Sequence, residues 1–145
     1  SALARPLAEG RITLTDGKIG ISGNILFGLN SAKLRPEGEE LIRELAAPIE
    51  MYIRDRDELI MVSRFTDDLN IHDDNPHFQA NWRLSSKRAL IVVRELLRQG
   101  LRRELIFGAA FGEAQPVAPN NSELNRAKNR RVEIAPVPRG TNRKS

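Results

Sequence analysis

The sequence lacks cysteine, which excludes disulfide bonds, a thiolate nucleophile and any zinc site that depends on cysteine. Histidine is almost as scarce, because only His72 and His77 occur and both lie in one polar segment. We find no Ser-His-Asp arrangement and no Gly-x-Ser-x-Gly motif, and we therefore predict that the protein is not an enzyme. Every apolar run is far shorter than the ~20 residues of a membrane-spanning helix.

The charged residues are numerous but do not form one basic surface. Lysine and arginine number 23 against 19 aspartates and glutamates, which gives a formal charge of +4. The basic residues are spread along the chain, apart from a cluster in the tail between Arg139 and Lys144. A solvated surface accounts for this distribution better than a nucleic-acid site does, so we do not expect nucleic acid as a partner.

Length and composition predict one domain with two flexible ends. Residues 1–10 are expected to form a flexible N-terminal segment, residues 11–138 the domain, and residues 139–145 a disordered basic tail. Because Ser1 stands where a complete chain would have methionine, we expect a piece of a longer protein. Any membrane anchor would then lie outside these residues.

Strand signals occur at both ends of the chain. Asp16-Gly17 lies between two runs of alternating apolar residues, and this pattern predicts a hairpin with a type I′ turn. The second strand is expected to continue through Phe27. Further strands are predicted at 58–66, 104–111 and 131–137, the last of them stopped by Pro136 and Pro138.

Helix signals separate these strands. Pro36 is predicted in the first turn of a helix whose apolar positions extend to Ile53, and Pro48 is expected to kink or divide that helix. A second helix carries an apolar stripe and should end before Gly100. A short helix is expected at 122–129, capped by Asn121 or Ser122. Strands that alternate with helices in this way predict an α/β sandwich. The apolar stripe of the second helix consists of Leu84, Ala89, Val92, Val93, Leu96 and Leu97.

Two charged side chains could form a binding site between a strand end and a helix start. Asp67 follows the predicted strand 58–66, and Arg88 lies in the opening turns of the next helix, whose positive end favours an anion. Such a pair could bind a small zwitterion, because a carboxylate meets its ammonium and a guanidinium its carboxylate. Taken alone, either residue is more often a cap or a solvated side chain. Asn81, Leu84, Ser85 and Arg88 share one helix face by their spacing.

Three motifs in sequence order resemble those of the OmpA/MotB-like peptidoglycan-binding domain. They are Thr66-Asp67, then Asn81-x-x-Leu84-Ser85-x-x-Arg88-Ala89, then Asn129-Arg130-Arg131-Val132-Glu133-Ile134. The resemblance covers roughly residues 21–134, and Asn81-Trp82 is more similar to the flagellar stator branch, MotB, than to the outer-membrane branch, OmpA. It implies an α/β (α+β) fold of the OmpA-like βαβαβ type, with a mixed four-stranded sheet, helices packed on it and an N-terminal β-hairpin.

The resemblance also implies a ligand and the residues that bind it. Asp67 would accept hydrogen bonds from the ammonium of diaminopimelate in the peptidoglycan stem peptide, and Arg88 would hold its carboxylate. Thr66 and Leu84 belong to the same motifs. Asn81 is either a neutral partner of the ligand or a helix-start residue. Arg131 opens a strand near the site, where an ion pair that ties the strand to the core is an equally good interpretation. No metal and no other cofactor is implied.

Two features complicate this resemblance. The family pattern has glycine where this chain has Arg64. We expect that bulky cation to lie over the ligand groove, to be itself a ligand residue that holds a carboxylate, or to point to solvent. The loop His72-Asp73-Asp74-x-x-His77, together with Asp67 and Asp68, also invites a metal site and hence a metal-dependent hydrolase. Its spacing matches neither the helical zinc motif nor the twelve-residue calcium loop, so we expect a solvated acidic loop.

The expected function is noncovalent binding of the cell wall, which would anchor a membrane complex. The chain would be the periplasmic domain of a membrane-anchored protein, with the inner membrane favoured over the outer membrane. Other subunits of the complex would bind through a region outside these residues. A homodimer is expected by resemblance, although this fragment alone should be a weak dimer or a monomer. The alternative is an interaction module of the same fold that recognises a protein and has lost wall binding.

Overall fold

The computed structural model describes residues 3–28, 31–65, 76–112, 119, 121–123, 125 and 129–139. Its helices are α1 (Ala4–Ala8), α2 (Gly23–Leu26), α3 (Pro36–Ile53) and α4 (Pro76–Arg98), with a 3-10 turn at Arg103–Leu105. Its strands are β1 (Thr13–Thr15), β2 (Lys18–Ser22), β3 (Glu58–Phe65), β4 (Ile106–Gly112) and β5 (Arg131–Pro138). Among these residues, no helix combines the length and the apolar character that crossing a membrane requires.

The strands of the described residues form one mixed sheet in the order β1-β2-β5-β3-β4. β3 and β4 are parallel, whereas β5 is antiparallel to both of its neighbours, β2 and β3. The predicted α/β class is confirmed. The sheet has five strands where four and a hairpin were expected, because β2 pairs with β5 and thereby joins the hairpin to the sheet.

One aliphatic core lies between the sheet and the helices α3 and α4. The stripe predicted for α4 is confirmed, since Ala89, Val92, Val93 and Leu96 are buried. Each fully buried leucine or isoleucine contributes about 1.5–3 kcal/mol relative to its exposed state. The largest fully buried side chains are Ile21, Leu26, Leu41, Ile42, Leu45, Ile53, Ile60, Leu96 and Ile134.

The hairpin turn is confirmed, but the second strand is shorter than expected. Asp16 has a φ of 53° and Gly17 a φ of 78°, as a type I′ turn requires. β2 ends at Ser22 and does not continue to Phe27. The Ser22 hydroxyl accepts a hydrogen bond from the Asn24 N–H at 3.3 Å and so caps α2.

The first residues form α1 in place of part of the flexible segment expected over residues 1–10. Pro6 is buried and Leu3 packs against the core, so apolar contacts order this segment. Arg11 strengthens the attachment, because its two terminal nitrogens each donate a hydrogen bond of 3.1 Å to the Glu44 carboxylate on α3.

α3 runs undivided from Pro36 to Ile53, although Pro48 was expected to kink or divide it. Pro36 occupies the first position of the helix, as predicted. Leu45 and Ile49 are buried on either side of Pro48. This packing holds the helix together across the hydrogen bond that proline cannot make.

β5 extends through Pro138, past the two prolines that were expected to stop it. Pro136 lies opposite Ile60, and Pro138 lies opposite Glu58. β2 pairs with β5 only from Arg131 to Ile134. Within the described chain, the prolines therefore have a partner strand on one side only, and the sheet tolerates their missing donors there.

The residues before β5 begin with a capped helical turn. The Ser122 hydroxyl accepts a hydrogen bond from the Asn125 N–H at 3.1 Å, which supports Ser122 as the predicted cap. Arg130 pairs with Glu123 at 2.5 Å, and Asn129 is completely buried.

Candidate functional site

The structure describes only some of the predicted site residues. Thr66 and Asp67 lie outside the described residues, so the carboxylate expected to receive an ammonium stays a prediction. The same holds for the side chain of Asn81 and for the acidic loop over 67–74. Among the side chains that the structure describes, no group of three or more histidines and carboxylates could hold a metal ion. Leu84 lies on α4 and is partly buried.

α4 begins at Pro76, earlier than the sequence indicated. Proline suits a first helical position because it has no N–H to satisfy there. Asn81 is therefore beyond the first turn, and Arg88 lies in the middle of the helix. The positive helix end, which acts only within the first turn, does not reach Arg88. An anion at this point would interact with the guanidinium itself.

Arg88 holds the segment that follows α2. Its Nε donates a hydrogen bond of 2.8 Å to the Ser31 carbonyl, and its Nη2 donates one of 3.1 Å to the Gly28 carbonyl. The guanidinium carbon lies 5.3 Å from the centre of the Phe27 ring. Burial lowers the pKa of Arg88, although a guanidinium stays protonated at neutral pH.

This arrangement is compatible with an anionic ligand. A guanidinium has five N–H donors, so one that holds two carbonyls can still pair with a carboxylate. The two bonds fix the position of Arg88 before any ligand arrives. Its partial burial strengthens an ion pair relative to one in open solvent.

Arg131 is a buried residue at the start of β5, 7% exposed. Its Nε donates a hydrogen bond of 2.6 Å to Glu133, and its Nη1 donates one of 3.2 Å to the Asn129 carbonyl. The guanidinium carbon lies 3.9 Å from the centre of the Phe65 ring, at the end of β3. The ion pair lies within β5 itself, whereas the stacking on Phe65 connects the start of β5 to the end of β3. Ligand binding by Arg131 stays a prediction.

Arg64 is buried near the end of β3, and the expectations that it covers the ligand groove or points to solvent were wrong. The side chain is only 3% exposed, so it neither covers a groove nor points to solvent. Its Nη1 donates hydrogen bonds to the Phe65 carbonyl and, at 3.3 Å, to the Arg131 carbonyl. A signal for this placement was present in the sequence. Alternate residues of a strand share a face, and Arg64 follows Ile60 and Val62 in that alternation.

Two arginines therefore meet at Phe65, the last residue of β3. Arg64 donates to its carbonyl and Arg131 stacks on its ring. Glu133 neutralises one of these charges at 2.6 Å. Two guanidinium groups therefore lie at the strand end that precedes the predicted Asp67, and one of them is paired with Glu133.

Residues 26–130 match the OmpA family. Motility protein B of Bacillus subtilis is 34% identical over 133 residues, which are 91% of this chain and 49% of that protein. Peptidoglycan-binding protein ArfA of Mycobacterium tuberculosis is 31% identical over 112 residues, or 77% of this chain and 32% of that protein. The chain spans about half the length of the first relative and a third of the second.

Solved structures show the same similarity. The cell wall anchor of the T6SS from Pseudomonas aeruginosa superposes with a TM-score of 0.74 at 28% identity, covering 92% of this chain and 92% of that one. The periplasmic domain of Helicobacter pylori MotB superposes with a TM-score of 0.68 at 28% identity, covering 85% of this chain and 75% of that one.

Proposed function

Since the chain belongs to the OmpA family, we propose that it binds peptidoglycan noncovalently and thereby anchors a cell-envelope complex to the wall. The observation that carries this proposal is the half-buried guanidinium of Arg88, fixed by the Gly28 and Ser31 carbonyls. It presents a preorganised cation at the position where the motifs predict contact with a ligand carboxylate. We propose no catalytic role.

The proposed ligand is the zwitterionic end of diaminopimelate in the stem peptide. Its carboxylate would pair with Arg88, and its ammonium would pair with Asp67, which follows β3. Each charge-assisted hydrogen bond would contribute roughly 1.5–3 kcal/mol. Because the Arg88 side chain is already ordered, less conformational entropy is lost on binding.

The relatives support the proposal through what their names state. ArfA is a peptidoglycan-binding protein, and the Pseudomonas aeruginosa structure is a cell wall anchor. The Helicobacter pylori structure is a periplasmic domain. We accordingly propose a periplasmic location for this chain, in a protein anchored to a membrane, with the inner membrane favoured. The contacts with other subunits of the complex would lie outside these residues.

A protein-recognition module of the same fold is the second candidate. An apolar groove of about 270 Å³ between α3 and the sheet favours it. Tyr52 and Leu14 line this groove and are 43% and 47% exposed. Such a groove has no obvious use in binding a charged stem peptide. The other residues that line it include Leu3, Ile19, Ile49, Ile134 and Pro136.

Binding to purified peptidoglycan distinguishes the two functions. The protein should sediment with peptidoglycan sacculi, and calorimetric titration should detect a stem peptide that contains diaminopimelate. The matched control is the same peptide with lysine in place of diaminopimelate, which keeps the ammonium but lacks the carboxylate that Arg88 would hold. Weaker binding of the lysine peptide supports the proposal. A folded protein that binds neither sacculi nor peptide would contradict it and favour the recognition module.

A further inference from the structure

We propose that Arg64 is a positioning residue that sets the relative placement of the two halves of the site. One half is the end of β3, from which Asp67 follows. The other half is the segment after α2, whose carbonyls hold Arg88. The ligand-binding consequence of this inference rests on the proposed function, whereas its structural content does not.

The first contact of Arg64 is with the two strand ends. Its Nη1 donates to the Phe65 carbonyl of β3 and to the Arg131 carbonyl of β5. The register between β3 and β4 shifts between Arg64 and Phe65. The extra residue is Phe111 of β4, which lies between the partners of Arg64 and Phe65. The guanidinium therefore supplies a donor to the last residue of β3, where the parallel pairing becomes irregular and from which the chain continues to Asp67.

The second contact of Arg64 is with the start of α2. A Cβ atom on Gly23 would lie 3.2 Å from Nη2 and 3.5 Å from Cζ of Arg64, so this glycine leaves the room that the guanidinium occupies. The Gly23 N–H donates a hydrogen bond of 3.0 Å to the Arg130 carbonyl. Gly23 thus donates to the Arg130 carbonyl, and Arg64 donates to the next carbonyl along the chain, that of Arg131.

The start of α2 is connected to Arg88 through a short, well-bonded segment. Phe27 forms a bridge with Leu34, and the Leu26 carbonyl accepts a hydrogen bond of 2.8 Å from the Arg35 N–H. These bonds close the segment that contains Gly28 and Ser31, the two carbonyl partners of Arg88. A displacement of α2 would therefore be transmitted to Arg88.

Because Arg64 is buried, it should keep its contacts with the ends of β3 and β5 and with the start of α2. A buried charge keeps its hydrogen-bond partners because losing them would leave it without solvation. A small residue at this position would leave the Phe65 and Arg131 carbonyls without this donor and would open space beneath Gly23. The chain between β3 and α2 would then be less constrained.

Nuclear magnetic resonance of the ligand-free protein tests the inference directly. In Arg64→Ala, we expect shifted and faster-exchanging amides at Thr66 and Asp67, and reduced exchange protection of the Arg88 Nε–H. Arg64→Lys should change both signals less than Arg64→Ala does, because an ammonium keeps the charge but lacks the planar fork. Arg94→Ala, which removes an exposed arginine of α4, is the matched control and should change neither. Unchanged Asp67 and Arg88 signals in folded Arg64→Ala would overturn the inference.

A second variant covers the case in which Arg64→Ala does not fold. Gly23→Ala crowds the guanidinium without removing it and should perturb the same signals. If Gly23 acts through Arg64, the effect of Gly23→Ala should be much smaller in an Arg64→Lys background, whose side chain is less bulky at that point. Full additivity of the two changes would contradict the inference.

The affinity for the diaminopimelate peptide provides the functional measurement. A misplaced Asp67 or Arg88 would lose part of its charge-assisted contact, so Arg64→Ala should weaken binding roughly tenfold, and Arg94→Ala should not. If the unaltered protein binds no peptide, the proposed function fails and the resonance signals alone decide the role of Arg64. If the protein binds and Arg64→Ala binds equally well, the positioning role fails while the proposed function stands.

Discussion

Arg88 and Arg64 both use their guanidinium groups to hold backbone carbonyls, but they differ in exposure. Arg88 is half-buried, whereas Arg64 is 3% exposed. A planar group with several donors can connect two carbonyls in a fixed geometry, which a lysine ammonium does less well. At the scale of residues, the site thus depends on arginines that order the main chain.

Asp67→Ala and Arg88→Ala should each weaken binding of the diaminopimelate peptide by roughly ten- to a hundredfold, because each removes a charge-assisted contact. Arg88→Ala should also lower the melting temperature, since the Gly28 and Ser31 carbonyls lose their donor. Arg88→Lys should not restore binding, because one ammonium cannot replace the fork. Calorimetric titration and thermal melts measure both effects. Unchanged affinity with a lowered melting temperature would reduce Arg88 to a structural role.

The pair of Arg11 and Glu44 should make stability depend on pH. The hydrogen bond from Arg11 lowers the pKa of Glu44 below its ordinary value of 4.5. A lowered folded-state pKa means that the stabilisation is complete above the unfolded-state pKa and is lost as the pH falls through the folded-state value. Glu44→Gln should therefore cost about 0.5–1 kcal/mol at pH 7, a figure reduced for the exposure of the pair.

Urea unfolding of this variant over a range of pH tests the assignment. The difference between Glu44→Gln and the unaltered protein should shrink below pH 4.5 and disappear once the native carboxyl is protonated. Glu104→Gln, at an exposed glutamate, is the control and should show little difference at any pH. A cost of Glu44→Gln that stays constant down to the lowest pH would show that the ion pair is not its source.

At the scale of elements, the contact between α2 and α3 determines where Arg88 finds its carbonyls. Gly38 on α3 is buried against α2, and a Cβ atom there would lie 2.8 Å from the Leu26 Cα and 3.0 Å from the Ile25 carbonyl. Both are backbone atoms, so a side chain could not be accommodated by a change of rotamer. This glycine allows α2, and the segment after it, to approach α3 closely.

Gly38→Ala should destabilise the fold by about 1–3 kcal/mol because of overpacking. This cost should outweigh the gain of up to about 1 kcal/mol that alanine brings to a helix. Gly28→Ala is the matched control, since nothing lies within 4 Å of its Cβ position, and it should change stability by at most about 0.5 kcal/mol. Urea unfolding measures both variants. A more stable Gly38→Ala protein would mean that α2 can move away from α3 at little cost.

At the scale of the whole molecule, β1 and β4 are the two edge strands of the sheet in the described chain, and all three residues of β1 are exposed. β1 has only these three residues, and Leu14 at its centre is 47% exposed. An unpaired edge can add a strand from another copy. A stable dimer, however, usually buries about 1,200–2,000 Å² in total, which such a short strand could supply only in part.

Sedimentation equilibrium should therefore show a monomer or a weak dimer. If a weak dimer forms through this edge, Leu14→Lys should abolish it, because a charge on the edge opposes pairing. The control is Met51→Lys, which changes an exposed apolar residue of α3 far from this edge in sequence and should leave the dimer intact. A tight dimer at submicromolar concentration would contradict the expectation and show that a sufficient interface lies within these residues.

Features that depend on neighbours in the chain were predictable from the sequence. The Asp16-Gly17 turn, the first position of Pro36 and the positive φ of Gly100, 114°, that follows α4 all depend on local backbone preferences. The apolar stripe of α4 follows from the period of the helix. The motif that contains Arg88 placed it correctly on this helix, although not in its opening turns.

Tertiary structure decided the features that depend on residues distant in the sequence. β5 passes through Pro136 because its pairing with β2 extends only as far as Ile134, and α3 passes Pro48 because the core packs on both sides of it. The carbonyl partners of Arg88 lie on a different part of the chain, so no local pattern indicated them. Strand alternation could place Arg64 on the inner face of β3. A buried guanidinium requires room and hydrogen-bond acceptors. Both come from the tertiary structure, because Gly23 leaves the room and the Arg131 carbonyl accepts a hydrogen bond.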